Sequence, residues 1–562
     1  MNRISFKKIL VILLGFGVLG ACEDKFTEMN TNPNGIAPEA ANPNLLMTTV
    51  LASAAQNYLD LGFNDMAGTM QHTQKNGWFG GHNHYDWGAR DWSGWYGIQR
   101  NNALLQKRAE DLGYDFFRGV SLTMKAFIFG NIADLWGDAP YTDAVKGDQN
   151  ANEFKNPKFD SQETIYMGVI EDLKEAAAIF ASTTNEGVTP AQDLYFGGSV
   201  EKWHRFANSL LLRYYLRISE KKSEVSKPGI ESVYNSGMYI TSPSDDATLA
   251  YTGGANDVWP SQYTDVTSFT RWQACQTFID QLVGTSDPRL SVWFAPVNVQ
   301  WVADAALPEA AEEFIRADGV LLDGVKNRSY LEYRDNTTIK YTRKFNPNEV
   351  QYDDNEYVGL PPGLPQPAGY NGNPIQAQGG QNQHVSQLNP MYSYSGGSLL
   401  KARLISAAEV SFILAESALK GYSVGSAQTH YENGIKHSLT TWGKAGDYDT
   451  FIAEAGVAYD AGNALEQIIT QKWVASWTAA TEAWMDFKRT GLPALTPGPA
   501  AAEDVLPVRF RYGNDEWNNN RDNVQAALTS GGLKVEGYNG GIPNADTQWS
   551  KTWVLQNTGK PW

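Results

Sequence analysis

A basic leader carrying Arg3, Lys7 and Lys8 runs into the apolar stretch Ile9–Leu19 and ends at Gly20-Ala21-Cys22, and this sets the first limit on the fold. The stretch is too short to span a bilayer, and small residues precede a cysteine, which is the layout of a cleavable lipoprotein signal over residues 1–21. Cleavage before Cys22 would free that residue for lipid attachment. Residues 22–562 are then expected to fold as a water-soluble body held at a membrane surface, each buried acyl methylene contributing about 0.8 kcal/mol. No later segment approaches 18 uninterrupted apolar residues, so nothing else is expected to cross a membrane. The one dinucleotide-style match, Gly15-Phe16-Gly17-Val18-Leu19-Gly20, falls inside the leader, with no strand before it, and carries no binding chemistry.

Helical periodicity organises both ends of the body. Tyr166, Ile170, Leu173, Ala177 and Phe180 recur at helical spacing and predict a helix over 161–181, with Asp160 as N-cap and Glu163 as its capping-box partner. Ser199 opens a second stripe of Trp203, Ala207, Leu210 and Tyr214, and Ile98–Leu112 reads as another helix. Phe412, Ala415 and Leu419, then Ile468, Ile469, Trp473 and Trp477, give similar faces later on. The segment Phe269–Val283 reads as an apolar helix that buries Cys275. Between about 241 and 398, Tyr251-Thr252-Gly253-Gly254, Leu360-Pro361-Pro362-Gly363 and the polar run Asn371–Gln383 break the periodicity. The expectation is a mostly α, single large domain over 22–562. Its helical scaffold would occupy about 36–240 and 399–562 and resemble tetratricopeptide-type hairpins, with minor β and a loop-rich ligand-binding region between them.

The net charge of −17 becomes −20 once the leader's three cations are removed. That argues against nucleic acid or an anionic membrane surface as partner, and it disfavours acidic cargo. Beyond Cys22 there is one cysteine, Cys275, so no internal disulfide can form.

Four stretches carry a resemblance. They are Asp134-Leu135-Trp136-Gly137-Asp138-Ala139-Pro140-Tyr141-Thr142-Asp143-Ala144, Lys202–Arg213, Gln471–Pro493 and Leu506–Tyr512 with Asn514, Glu516 and Asn519. In the first, Gly137 permits a left-handed helix stop, Pro140 prevents resumption, and Asp138 can accept from backbone amides in the turn. Arg489, Arg509 and Arg511, beside Asp486 and Glu482, read as structural ion pairs. Together the stretches resemble the SusD/RagB family of nutrient-binding outer-membrane lipoproteins, particularly its SusD-like branch, although Gly513 stands where that pattern has proline. Glu23 and Asp24 resemble the acidic residues that follow the lipidated cysteine of surface-exposed lipoproteins in Bacteroidetes-type bacteria. The resemblance implies a lipid-anchored, outward-facing, non-enzymatic protein without a cofactor. It would act as the lid of a SusC-like TonB-dependent transporter and deliver an oligosaccharide to it, or in some members a peptide.

Aromatic and amide side chains in loops suit sugars, because flat rings stack on pyranose faces while amides and carboxylates take the hydroxyls. Trp78, Phe79, Tyr85 and Trp87 lie in a glycine-rich loop that no helix pattern explains, whereas Trp92, Trp95 and Tyr96 lead into a helix and are expected in the core. Trp259, Tyr263 and Trp293, with Trp272, Trp301, Asn256 and Asp257 nearby, form a second candidate group, and Tyr370, Tyr392 and Tyr394 a third. His82 and His84 show no third ligand at fixed spacing, so no metal site is expected there. Asp353, Asp354, Asn355 and Glu356 lack the glycine and terminal glutamate of a calcium loop and read as a solvated turn. A glycosidase needs just two well-spaced carboxylates, which 62 acidic residues can supply, so hydrolysis stays open as a remote alternative.

Overall fold

The computed structural model describes residues 37–147, 149–253, 259–260, 269–311, 331–333, 341–373, 380–393, 396–530, 533 and 545–562. Cys22, Tyr263, Asn256, Asp257 and Tyr394 lie outside the described residues. Six long helices form the first half: α1 (Pro43–Phe63), α2 (Ser93–Leu112), α3 (Asp115–Trp136), α4 (Gln162–Phe180), α5 (Val200–Arg217) and α6 (Ser223–Ser236). Each packs on the next, as in stacked helical hairpins. Within the middle segment lies α7 (Gln276–Gly284), and after it come α8 (Ala407–Leu419), α9 (Ala427–Thr441), α10 (Ala464–Ala475) and α11 (Ala480–Thr490). Among the described residues no helix is long and apolar enough to cross a membrane.

Local signals explain most boundaries, and two differ from the sequence reading. Ser161, not Asp160, caps α4, its hydroxyl accepting from Thr164 N at 3.1 Å. Asp160 instead accepts from Tyr141 N and Thr142 N at 3.1 and 2.7 Å, pinning the Pro140 turn, and Glu163 pairs with Lys222 at 2.6 Å. Ser199 caps α5 as expected, accepting from Lys202 N. The expected helix at Phe269–Val283 is shortened: Trp272–Ala274 is strand β4, paired antiparallel with β1 (Thr73–Lys75), and α7 starts only at Gln276. Cys275 sits buried at that junction, and burial pushes its thiol up to about 12.

Short strands lace the middle segment to the helices. β3 (Ala247–Thr252) pairs antiparallel with β8 (Gly396–Ile405), so both ends of the segment are held together at its root, and within it β7 (Tyr341–Phe345) pairs with both β5 (Val299–Ala303) and β6 (Leu331–Tyr333). β2 (Ala89–Arg90) runs parallel to β9 (Arg511–Tyr512), bringing the chain's last section beside the start of α2.

Charged residues are buried where the two helical halves meet. Arg213 of α5 donates to both carboxylate oxygens of Glu409 on α8 at 2.7 and 2.9 Å. Arg217 donates to Glu482 on α11 at 2.8 Å and to Asp134 on α3 at 3.2 Å, while Tyr166 of α4 donates to Asp134 at 2.5 Å. Arg489 clamps Glu416 and Asp486, and Lys472 of α10 also reaches Asp486 at 2.8 Å. Removing one member of a buried pair strands the other charge in a poor solvent, at a cost of about 3–5 kcal/mol. Glu482→Gln is therefore expected to lower unfolding stability by about that amount in guanidinium titrations, and a loss below about 1 kcal/mol would rule out this account.

Lys488 lies inside the same lattice, donating to Asp134 O at 2.8 Å with its ammonium over the Trp484 ring at 3.7 Å. Burial pulls its pKa from the ordinary 10.5 down to about 7; Asp134 and Glu482 oppose the shift, and Arg217 and Arg509 add to it. Between those values the unfolded chain holds a proton that the folded one has shed, so this group's share of stability rises with pH. Unfolding free energy between pH 7.5 and 9.5 should climb more steeply in the parent than in Lys488→Met, by up to about 1.4 kcal/mol per pH unit, and parallel curves would refute the shift.

Candidate functional site

The loop after β1 is where an aromatic face meets solvent. Trp78 is 59% exposed and has a left-handed backbone, φ +49°. Its ring is braced by the Arg271 guanidinium, 4.5 Å from the ring centroid, in a cation–π contact. Three chain segments converge here. Asn76 N donates to Arg271 O at 3.0 Å, and Asn76 Nδ2 donates to Gly380 O at 2.6 Å, so residues 76–78 are tied to the strand before α7 and to the 380–387 segment. Asn83 returns to β1, its amide bonding both the N–H and the carbonyl of Lys75. Lys75 lies over the Trp272 ring at 3.9 Å, and burial lowers its ammonium to about 8. Phe79 is half-buried, its ring edge-on to His84 at 5.0 Å.

The other expected platforms turn inward. Trp87 is 1% exposed, with Phe510 and Trp484 edge-on at 5.0 and 5.8 Å and its indole N–H donated to Gly81 O. Tyr85 is equally buried, and its carbonyl accepts from Gln548, so the middle of the loop seals the C-terminal section rather than facing solvent. Trp259 is enclosed by Phe63, Tyr251 and Tyr392, and Trp293 packs against both Phe278 and Trp477 at 5.8 and 5.6 Å, the three rings forming one cluster. Trp301 lies between Tyr352 and His384, each 4.4 Å away, and Trp272 and Tyr392 are also core residues. In this conformation Tyr85, Trp87, Trp259 and Trp293 pack and offer no free ring face, a correction to the sequence reading. Tyr370 is half-buried against Val297, Val358, Leu360 and Val385. Trp92 and Trp95 lie in the core as expected, but Tyr96 is only partly covered.

The imidazoles are engaged by protein. His82 Nε2 lies 3.1 Å from Thr73 Oγ1, and burial, with Lys75 nearby, lowers its pKa well below the ordinary value. His84 Nε2 lies 3.1 Å from Leu364 O. Asp353 accepts from Asn355 N and Nδ2, a local turn. Among the described residues no group of three His, Cys, Asp or Glu is placed to hold a metal. Arg489 and Arg509 are consumed in ion pairs, the latter with Asp546 at 2.6 Å, and Arg511 Nε donates to the carbonyl of Asp546. The residue that the sequence reading missed is Arg271, because a cation stacking on a ring 193 positions away leaves no local pattern.

The sequence matches the SusD-like family model described as starch-binding and associating with the outer membrane, over residues 33–305 and 344–513. No protein of curated function matches it. Among solved structures the chain is similar to a SusD homologue from Bacteroides fragilis (20% identity, TM-score 0.68, covering 92% of this chain and 99% of that one). It is also similar to a chitin-binding SusD homologue from Flavobacterium johnsoniae (20%, 0.67, 91% and 99%) and to a SusD-like protein from Bacteroides thetaiotaomicron (21%, 0.65, 92% and 100%).

The contrast within one loop is testable by stability alone. Trp87→Ala should cost about 3–5 kcal/mol, as a large ring removed from a packed interior does, while Trp78→Ala should change stability by less than about 0.5 kcal/mol. Chemical denaturation of the two variants checks this, and equal losses would contradict the placement of Trp78 at the surface.

Proposed function

Since the chain belongs to the SusD-like family, described as starch-binding and associating with the outer membrane, we propose that it captures oligosaccharides at the cell surface and passes them to a SusC-like TonB-dependent transporter. The observation that carries this reading is Trp78. An indole 59% exposed at a loop apex and braced behind by a guanidinium is an ordered apolar plane offered to solvent. Leaving such a ring in water gains nothing for folding. Stacked on the apolar face of a pyranose it would contribute about 1 kcal/mol or more. Half-buried Phe79 and Gln381 adjoin Trp78 and Gly380 in sequence, and Tyr370 is tied to the 380–387 segment through its carbonyl, which accepts from Asn382 Nδ2 at 3.0 Å; these would supply further ring edges and an amide.

In this reading Cys22 carries the lipid, the body faces the cell exterior, and no step of bond cleavage or cofactor chemistry is assigned to the chain. The capture step needs only complementarity: the amides and carbonyls of the converging loops pair with hydroxyls, and the bracing of Trp78 means little side-chain entropy is lost on binding.

Isothermal calorimetry of the mature protein with maltoheptaose, chitohexaose and a mixed peptide digest tests the proposal. Binding to at least one glycan, with no new reducing ends and at least fivefold weaker in Trp78→Ala, is the expected outcome. Binding to peptides alone overturns glycan capture, and glycan affinity untouched by Trp78→Ala overturns the role of Trp78 in it.

A further inference from the structure

We propose that a second, independent saccharide-binding cleft lies on the far side of the same loop, between the start of α2 and residues 513–516. Its volume is about 460 Å³, within the range of small-molecule sites, and it shares no lining residue with the Trp78 convergence. The pairing of β2 with β9 sets its width, since Ala89 and Arg90 run alongside Arg511 and Tyr512 and the walls diverge just beyond. Trp92 and Tyr96 form the floor, and Asp91, Arg100, Asn514 and Glu516 are set around it.

The polar atoms of the floor are already satisfied by protein. Trp92 Nε1 donates to Glu516 at 3.1 Å, and the Tyr96 hydroxyl donates to Pro140 O at 2.6 Å. Both rings are therefore fixed, and what Tyr96 presents to the cleft is its partly exposed apolar side. The rim is different: Asp91, Arg100, Asn514 and Asp515 are all exposed. Asp91 is held in place by Ser93, which donates to it from both N–H and hydroxyl at 2.7 and 2.6 Å, leaving further lone pairs available. Burial raises the Glu516 carboxyl, and Asp515 and Asp91 add to the rise.

Floor and rim together decide the class of ligand. Three carboxylates, Asp91, Asp515 and Glu516, face one guanidinium, Arg100, so an anion is repelled, and a compact cation would use the carboxylates but not the Tyr96 face or the Asn514 amide. A neutral polyol uses all of them, because each hydroxyl can donate to a carboxylate and accept from a guanidinium or amide, while the ring face lies on Tyr96. An apolar floor with a rim of mixed donors and acceptors is the arrangement that a glycan face and its hydroxyls require.

The test is calorimetry of maltoheptaose, chitohexaose, oligolysine and oligogalacturonate with the mature protein, as it is and in a Trp78→Ala background, each with and without Arg100→Ala and Asn514→Ala. Both added substitutions are at exposed positions that no buried pair depends on. The expected result is residual binding in Trp78→Ala that weakens at least fivefold when the two rim residues are removed. If Trp78→Ala alone abolishes binding, the cleft assignment fails while the proposed function stands. If residual binding ignores the rim variants, the cleft is again overturned. Binding lost with the rim residues but unaffected by Trp78→Ala upholds the cleft and moves capture away from Trp78. Binding of oligolysine or oligogalacturonate at the cleft in place of the neutral sugars overturns the ligand class.

Discussion

The two helical halves of this protein are joined through one short helix that carries an unusual share of buried charge. α11 carries Glu482, Asp486, Lys488 and Arg489 within a single 11-residue element, and all four are at most 7% exposed. Positions 482, 486 and 489 recur at helical spacing on one side, so a single face presents two carboxylates and a guanidinium to α5, α8 and α10. The burden of desolvating these groups is offset only if every partner arrives together. Arg217 comes from one half of the chain and Glu416 from the other, so neither half can complete the lattice alone. Such a junction specifies register more than it adds stability. A one-turn slip of α11 would leave several charges uncompensated in the interior, each costing several kcal/mol.

The same junction explains where the aromatic residues went. The chain has 18 tryptophans, and a sequence reader sees a surplus suited to sugars. Most are spent joining elements that share no sequence neighbourhood: Phe63 of α1 contacts Trp259, Trp272, Tyr392 and Trp477, which come from the middle segment and from the end of α10. Large rings bury much apolar area for few rotatable bonds, and edge-to-face pairs add to that, so they suit a core assembled from short strands and irregular loops. With that demand met, an exposed tryptophan becomes informative because it is rare. Trp78 is the described tryptophan that stands most open to solvent.

Helix existence was legible because periodicity is a local property, and α4, α5 and α8 fall where their stripes place them. Capping was legible only where one residue could do it. At Asp160-Ser161 two competent caps stand side by side, and the choice fell to Ser161 because the Pro140 turn takes the aspartate from outside the helix. The strand at Trp272–Ala274 overrode a plausible helix because β1 offers it a ladder, a partner about 200 residues away. Loop aromatics were the least legible. Glycine-rich surroundings argued equally for exposure of Trp78 and Trp87, and what separates them is the C-terminal section that closes over Trp87, Gln548 accepting from its backbone N–H at 3.1 Å. The family resemblance reached the fold without reaching these details, since a shared scaffold leaves the loops free to differ.

That closure gives the stretch from 76 to 96 its particular character. Its first part lifts Trp78 into solvent, its middle is held in the core through Tyr85 and Trp87, and its last part enters α2, where Tyr96 is partly exposed. A flexible loop would couple its two ends, because ordering one would alter the entropy of the other. A loop fixed at its centre does not: the buried pair between them acts as a fulcrum already paid for by folding, so occupation of one end changes little at the other. Two ligand-facing surfaces on one such segment would bind independently, and where both engage one long polymer the gain comes through effective concentration rather than through a conformational signal.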